Sequence, residues 1–131
     1  MTQSPWGEHK ADLATVCCVD DRIQEVAAQY VRTRLSPRFF CYAMPGGAFA
    51  VTKDWAAMSQ ALRIAVERGA KRIALVNHVD CASFPPFASE EEELRAHREN
   101  LAAARGLLAG EFPGVSVICI LMRGRWHFEE V

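Results

Sequence analysis

Four short apolar runs, separated by turn residues and helix-periodic stretches, constrain this chain more than any other feature. They are Leu13 to Val19, Phe39 to Met44, Arg72 to Asn77 and Val115 to Met122. None shows the polar alternation of a strand with one wet face, so each reads as a strand covered on both sides. Between the first two, Ile23, Val26, Ala27, Tyr30 and Val31 recur at helical spacing, predicting a helix over about 22–34 that Ser36-Pro37 ends. Trp55, Met58, Leu62, Ala65 and Val66 form the apolar face of another, with Gly69 placed to stop it. Ser89 with Glu92 three residues on has the form of a capping box, and Leu94, Leu101 and Leu108 carry that helix to about 109. The acidic run Glu90 to Glu93 falls in its first turn, where the helix dipole favours negative charge. Trp126 to Val131 adds a short edge strand or an interface segment. Strand alternating with helix predicts an α/β fold: a mostly parallel sheet of four to five strands covered by helices on both faces. No repeat or linker divides the chain, so one domain is expected over 1–131, with 1–10 as an irregular lead-in.

Composition narrows the function classes. Fifteen basic against sixteen acidic residues give a net charge of −1, without the basic excess of a nucleic-acid binder. The longest strongly apolar run, Val115 to Met122, is too short to span a bilayer. The first ten residues lack a basic flank followed by an apolar core, so no secretory signal is read and a cytoplasmic location is expected. Five cysteines in such a chain argue against a disulfide framework. Cys41 and Cys119, each inside an apolar run, are expected to be buried thiols.

The chemistry concentrates where two of the strands end. Cys18-Val19-Asp20-Asp21-Arg22 follows the first run, and His78-Val79-Asp80-Cys81 follows the third. In a parallel sheet, ligands bind beyond the carboxyl ends of the strands. If the first and third strands are neighbours, Cys18, His78 and Cys81 converge. Two thiolates and one imidazole suit zinc, and three protein ligands leave one position open, the mark of a catalytic site. Cys17 should face away from Cys18, since adjacent strand residues point to opposite faces; His9 and His97 remain open as further ligands. Asp20 beside Arg22 reads as a carboxylate held ionised next to the metal, or as a solvated pair capping the following helix. Asp80 reads as a hydrogen-bond acceptor near the metal, a proton relay or a surface carboxylate. Gly46-Gly47 lacks the rest of a phosphate-loop pattern, so nucleotide binding is not expected.

These two runs resemble the zinc-binding motifs of the β-class carbonic anhydrases, Cys-x-Asp-x-Arg and then His-x-x-Cys. The resemblance extends over residues 13 to 122. It implies that Cys18, His78 and Cys81 bind Zn2+ and that Asp20 and Arg22 form the family's catalytic carboxylate–guanidinium pair. The implied activity is the reversible hydration of carbon dioxide to bicarbonate by a hydroxide generated on zinc, in a homodimer or higher homo-oligomer. The chain departs from the family at Asp21, where many members carry Ser, and at Ala82-Ser83, where Gly is common. It departs again at Ala43-Met44-Pro45-Gly46, where members tend to show Arg-Asn-Ala-Gly. Two other readings follow. One is a carbonic-anhydrase-like zinc protein without hydratase activity, or acting on another small electrophile such as carbonyl sulfide or carbon disulfide. The other is a metal-free enzyme with Cys81 or Cys18 as nucleophile, activated by a base such as His78.

Overall fold

Residues 4–131 are described by a computed structural model. In chain order the elements are β1 (Leu13–Cys18), α1 (Gln24–Arg34), β2 (Phe40–Met44), α2 (Ala48–Lys53), α3 (Trp55–Glu67), β3 (Arg72–His78), α4 (Glu90–Glu111), β4 (Ser116–Gly124) and β5 (His127–Glu130). The five strands form one sheet in the order β2-β1-β3-β4-β5. The first three pairings in that order are parallel, and β5 closes the edge antiparallel to β4. The predicted α/β architecture is therefore the observed one. The C-terminal edge strand is also present, as β5. Over residues 4–10 the lead-in is irregular; residues 1–3 lie outside the described residues.

Apolar residues of β1 and β3 divide between two packing layers, as their alternation requires. Leu13, Cys17, Ala74 and Val76 face α1 and pack with Val26, Ala27 and Val31. Ala14, Val16, Ile73 and Leu75 face the opposite side, against α2, α3 and α4, where Val51, Leu62, Leu101 and Leu108 complete the core. These leucines are fully buried, each side chain contributing about 2 kcal/mol or more by leaving water. So Cys17 does face away from Cys18, into the α1 layer. The other helix signals read from the sequence are also present. Ser89 Oγ accepts the Glu92 backbone N–H at 3.1 Å, while the Glu92 carboxylate reaches back to the N–H of Ala88 at 3.1 Å. No helix among the described residues is long and apolar enough to cross a membrane.

Two features differ from expectation. The helix α2 is additional, a short turn of chain after Pro45-Gly46-Gly47 whose few residues show no repeated apolar period. Cys41 is exposed rather than buried. Its strand, β2, lies at the sheet edge, and its residues alternate between half-buried and exposed. Cys119 is buried, as expected for a central strand.

Candidate metal centre

Strand order decides the site. β1 and β3 are adjacent and parallel, registered Leu13 to Arg72 through Val16 to Leu75, so their carboxyl ends lie side by side. Cys18 ends β1, His78 ends β3, and Cys81 follows in the turn after β3. Alternation assigns Cys18 to one face and His78 to the other. They meet because each is the last residue of its strand, where a side chain can turn over the sheet edge.

The Cys18, His78 and Cys81 donor atoms all lie within 4.8 Å of one another, and all three residues are buried. The Cys18 and Cys81 sulfurs are 3.8 Å apart, much too far for a disulfide bond. Two thiolates about 2.3 Å from a tetrahedral zinc would sit about 3.8 Å from each other. The imidazole is also prepared. Its Nδ1–H donates to the carbonyl of Val79 at 2.8 Å, which leaves the Nε2 lone pair free. That Nε2 is buried and has no hydrogen-bond partner among the described residues, a deficit worth about 1–3 kcal/mol unless something fills it. A divalent cation would fill it. The Gly46 backbone N–H donates to Cys18 Sγ at 3.4 Å, which helps fix the direction of the sulfur. Burial pushes the Cys81 thiol above its ordinary pKa, with Cys18 adding to the shift. A cation at this point would reverse that, because a coordinating thiol loses its proton.

Asp20 stands outside the three-residue cluster but close to it, its Oδ2 lying 3.8 Å from His78 Nε2. Arg22 holds it there. The guanidinium Nε donates to both carboxylate oxygens at 3.0 and 3.1 Å, one NH2 donates to Oδ2 at 2.6 Å, and the Arg22 backbone N–H donates to Oδ1 at 2.9 Å. These bonds, the side-chain ones first, keep the Asp20 carboxyl down at about 2. The same geometry draws the Asp20 turn tight ahead of α1, yet α1 begins without a side-chain cap. The other half of the guanidinium grips the turn between the two later donors: NH1 donates to the Asp80 carboxylate at 3.0 Å and NH2 to its carbonyl at 2.9 Å.

A cavity of about 260 Å³ opens beside the cluster, lined by His78, Arg22, Ile23, Val26, Met122 and Arg125 among others. Its wall is apolar apart from the imidazole and two guanidiniums. Phe84 meets His97 edge-on and Phe87 lies tilted to it, with ring centroids 4.5 and 6.2 Å away, and both line a second cavity that reaches Cys81. Neither His9 nor His97 joins the donor cluster.

Sequence reading missed Gly46 and Gly47. Gly46 supplies the N–H to Cys18. Gly47 passes so near β3 that a Cβ on it would lie 2.4 Å from the Val76 carbonyl oxygen. Adjacent glycines after a strand were the available signal, but backbone donors carry no residue identity. His97 was read only as an open further ligand, and its place beside Glu93, i to i+4 on α4, was the other missed element.

Comparison with known proteins places this geometry. Residues 8–131 match the family described as "Putative carbonic anhydrase". The crystal structure of the Streptococcus mutans carbonic anhydrase superposes with a TM-score of 0.63 at 19% identity, covering 100% of this chain and 87% of that one. Tetrameric β-carbonic anhydrases from Sordaria macrospora give 0.62 at 15% identity, covering 96% and 82%. The Glaciozyma antarctica carbonic anhydrase gives 0.55 at 12% identity, covering 84% and 75%. No curated protein matches the chain. By family match across nearly its whole length, the chain belongs to the family described as putative carbonic anhydrase, and its fold is that of the β-carbonic anhydrases.

Proposed function

We propose that this protein is a zinc-dependent carbonic anhydrase that interconverts carbon dioxide and bicarbonate. Cys18, His78 and Cys81 would hold the zinc, with Asp20 and Arg22 as the catalytic pair. One observation carries the reading: a buried, unpartnered imidazole nitrogen faces two thiols at metal-binding separation, beside a carboxylate fixed by a guanidinium. Zinc, when bound, acidifies water enough to supply hydroxide near neutral pH.

The residues present supply the rest. Asp20, ionised at any pH above about 2, can accept a proton-bearing oxygen's hydrogen bond and so orient that oxygen's lone pair towards an incoming carbon. Arg22 keeps the carboxylate turned to that task and away from solvent. Ile23, Val26 and Met122 offer carbon dioxide an apolar wall, while the guanidiniums of Arg22 and Arg125 offer the product anion opposite charge. The tetrameric assembly of the Sordaria macrospora enzymes supports a homo-oligomer here as well.

The test is stopped-flow hydration of carbon dioxide across pH 7–9, on protein whose zinc content is measured. About one zinc per chain with turnover far above the buffer rate supports the reading. Full zinc without turnover would leave a zinc protein of this fold with another small electrophile as substrate. Absence of zinc from protein purified without chelator would sink the assignment.

A further inference from the structure

The Asp20–Arg22 pair is itself held, and the hold leads to Glu93 beside a buried histidine on α4 that no metal or substrate role explains. Asp80 has φ of 57°, a left-handed conformation that costs a non-glycine residue about 1–2 kcal/mol. Something must keep it there. Its carboxylate contact with Arg22 is a poor candidate, since the Asp80 side chain is 85% exposed and such ion pairs are worth little. The main chain is better placed. The Asp80 carbonyl accepts from Arg22 NH2 at 2.9 Å, and the Asp80 N–H donates to Glu93 Oε2 at 2.7 Å. Glu93 thus pins the peptide segment that Arg22 leans on.

Glu93 is in turn aimed from below. The Ala48 N–H donates to Asn77 Oδ1 at 2.9 Å, which fixes the Asn77 amide. Its NH2 group then donates to Asn100 Oδ1 at 2.9 Å and faces His97 Nδ1 at 3.5 Å. His97 Nδ1 must therefore be the acceptor, and the ring proton sits on Nε2, which lies 3.5 Å from Glu93 Oε2. His97 is fully buried, and Phe84 packs edge-on against its ring at 4.5 Å, so the imidazole has little freedom to turn elsewhere. The Glu93 oxygen that accepts the Asp80 N–H thus lies beside His97 Nε2, which makes no hydrogen bond to it.

We infer that Glu93, lying against the buried His97, is a positioning residue that keeps Arg22 clamped on Asp20 by holding the main chain of Asp80. The inference deepens the proposed hydratase role of the dyad and rests on it for any effect on turnover. Its structural content stands apart from that role. Without Glu93, the Asp80 turn loses its restraint, and Arg22 loses a fixed carbonyl to lean on.

The test uses zinc-loaded protein and three variants: Glu93→Ala, Glu93→Gln and Glu91→Ala. Gln keeps an oxygen where Oε2 now accepts the Asp80 N–H, so it should restore what Ala removes. Glu91 sits on the same helical turn, pairs only with Arg95 across an exposed surface, and controls for loss of charge near the helix start. The activity-free readout is 15N relaxation of the Arg22 Nε–H group. Wild type, Glu93→Gln and Glu91→Ala should show an ordered Arg22, whereas Glu93→Ala should show a mobile one. With zinc content equal in all four, kcat for hydration should fall about tenfold or more in Glu93→Ala alone. An Arg22 as ordered in Glu93→Ala as in wild type would overturn the inference. Loss of zinc from that variant would also overturn it, because Glu93 would then be supporting the ligand turn rather than the dyad. If wild-type protein hydrates no carbon dioxide, the proposed function fails, and the relaxation experiment still decides the positioning role.

Discussion

Adding one methyl group at Gly47 should be among the most damaging small changes in this protein, and adding the same methyl at Gly106 should help it. Gly47 has φ 61° and ψ −117°, a region that side-chain-bearing residues avoid at a cost of about 1–3 kcal/mol. The new Cβ would also stand 2.4 Å from the Val76 carbonyl oxygen and 3.1 Å from Asn77 Oδ1. Val76 is bound into β3 opposite Ile120 of β4, so its carbonyl cannot retreat without disturbing the sheet. Overpacking of that kind costs about 1–3 kcal/mol more. Gly47→Ala should therefore lose about 2–6 kcal/mol. Gly106 lies inside α4 with nothing within 4 Å of a Cβ, and Ala there should gain about 1 kcal/mol. Urea unfolding of both variants in chelator and reductant measures this without metal linkage. The Gly46 N–H next door bonds Cys18, so zinc affinity of Gly47→Ala should also fall by about tenfold or more, as when other supports of a metal ligand are disturbed. A Gly47→Ala protein within about 1 kcal/mol of wild type would refute the close approach of this loop to β3.

Other outcomes follow from the same site. Cys81→Ser should purify with almost no zinc, measured by elemental analysis, because a hydroxyl is a poor replacement for a thiolate. Asp20→Ala should keep about one zinc per chain and lose about a hundredfold or more in hydration rate, by stopped flow; full activity would remove Asp20 from the mechanism. The Arg22 bonds lower the Asp20 carboxyl from 3.8 to about 2, so the stability they contribute is present above pH 3.8 and is lost as pH falls through about 2. Asp20→Asn should accordingly be less stable than wild type at pH 5, with the gap closing between pH 4 and 2 in acid-unfolding curves of the metal-free protein.

Much of the fold was legible because parallel strands buried on both faces leave uninterrupted apolar runs, and Leu13–Cys18, Arg72–His78 and Ser116–Gly124 all show one. The candidate metal donors were legible because Cys and His at strand ends serve few purposes. Cys41 was misread for a physical reason: an apolar run at the sheet edge looks like one at its centre, and only strand order tells them apart. The short helix α2 carries too few turns to display a period. The Gly46 donor and the Glu93–His97 pair stayed hidden because one is a backbone group and the other depends on which face of α4 meets the end of β3.

The chain's own order of residues determined which atoms are available: two sulfurs, one imidazole nitrogen and a carboxylate with its arginine, each just past a buried strand. Tertiary structure alone decided that β1 and β3 are neighbours, that the sulfurs stop 3.8 Å apart and that the His78 nitrogen facing them has no other partner. Strand order depends on how crossover helices pack across the sheet, a sum of distant contacts that no local periodicity records.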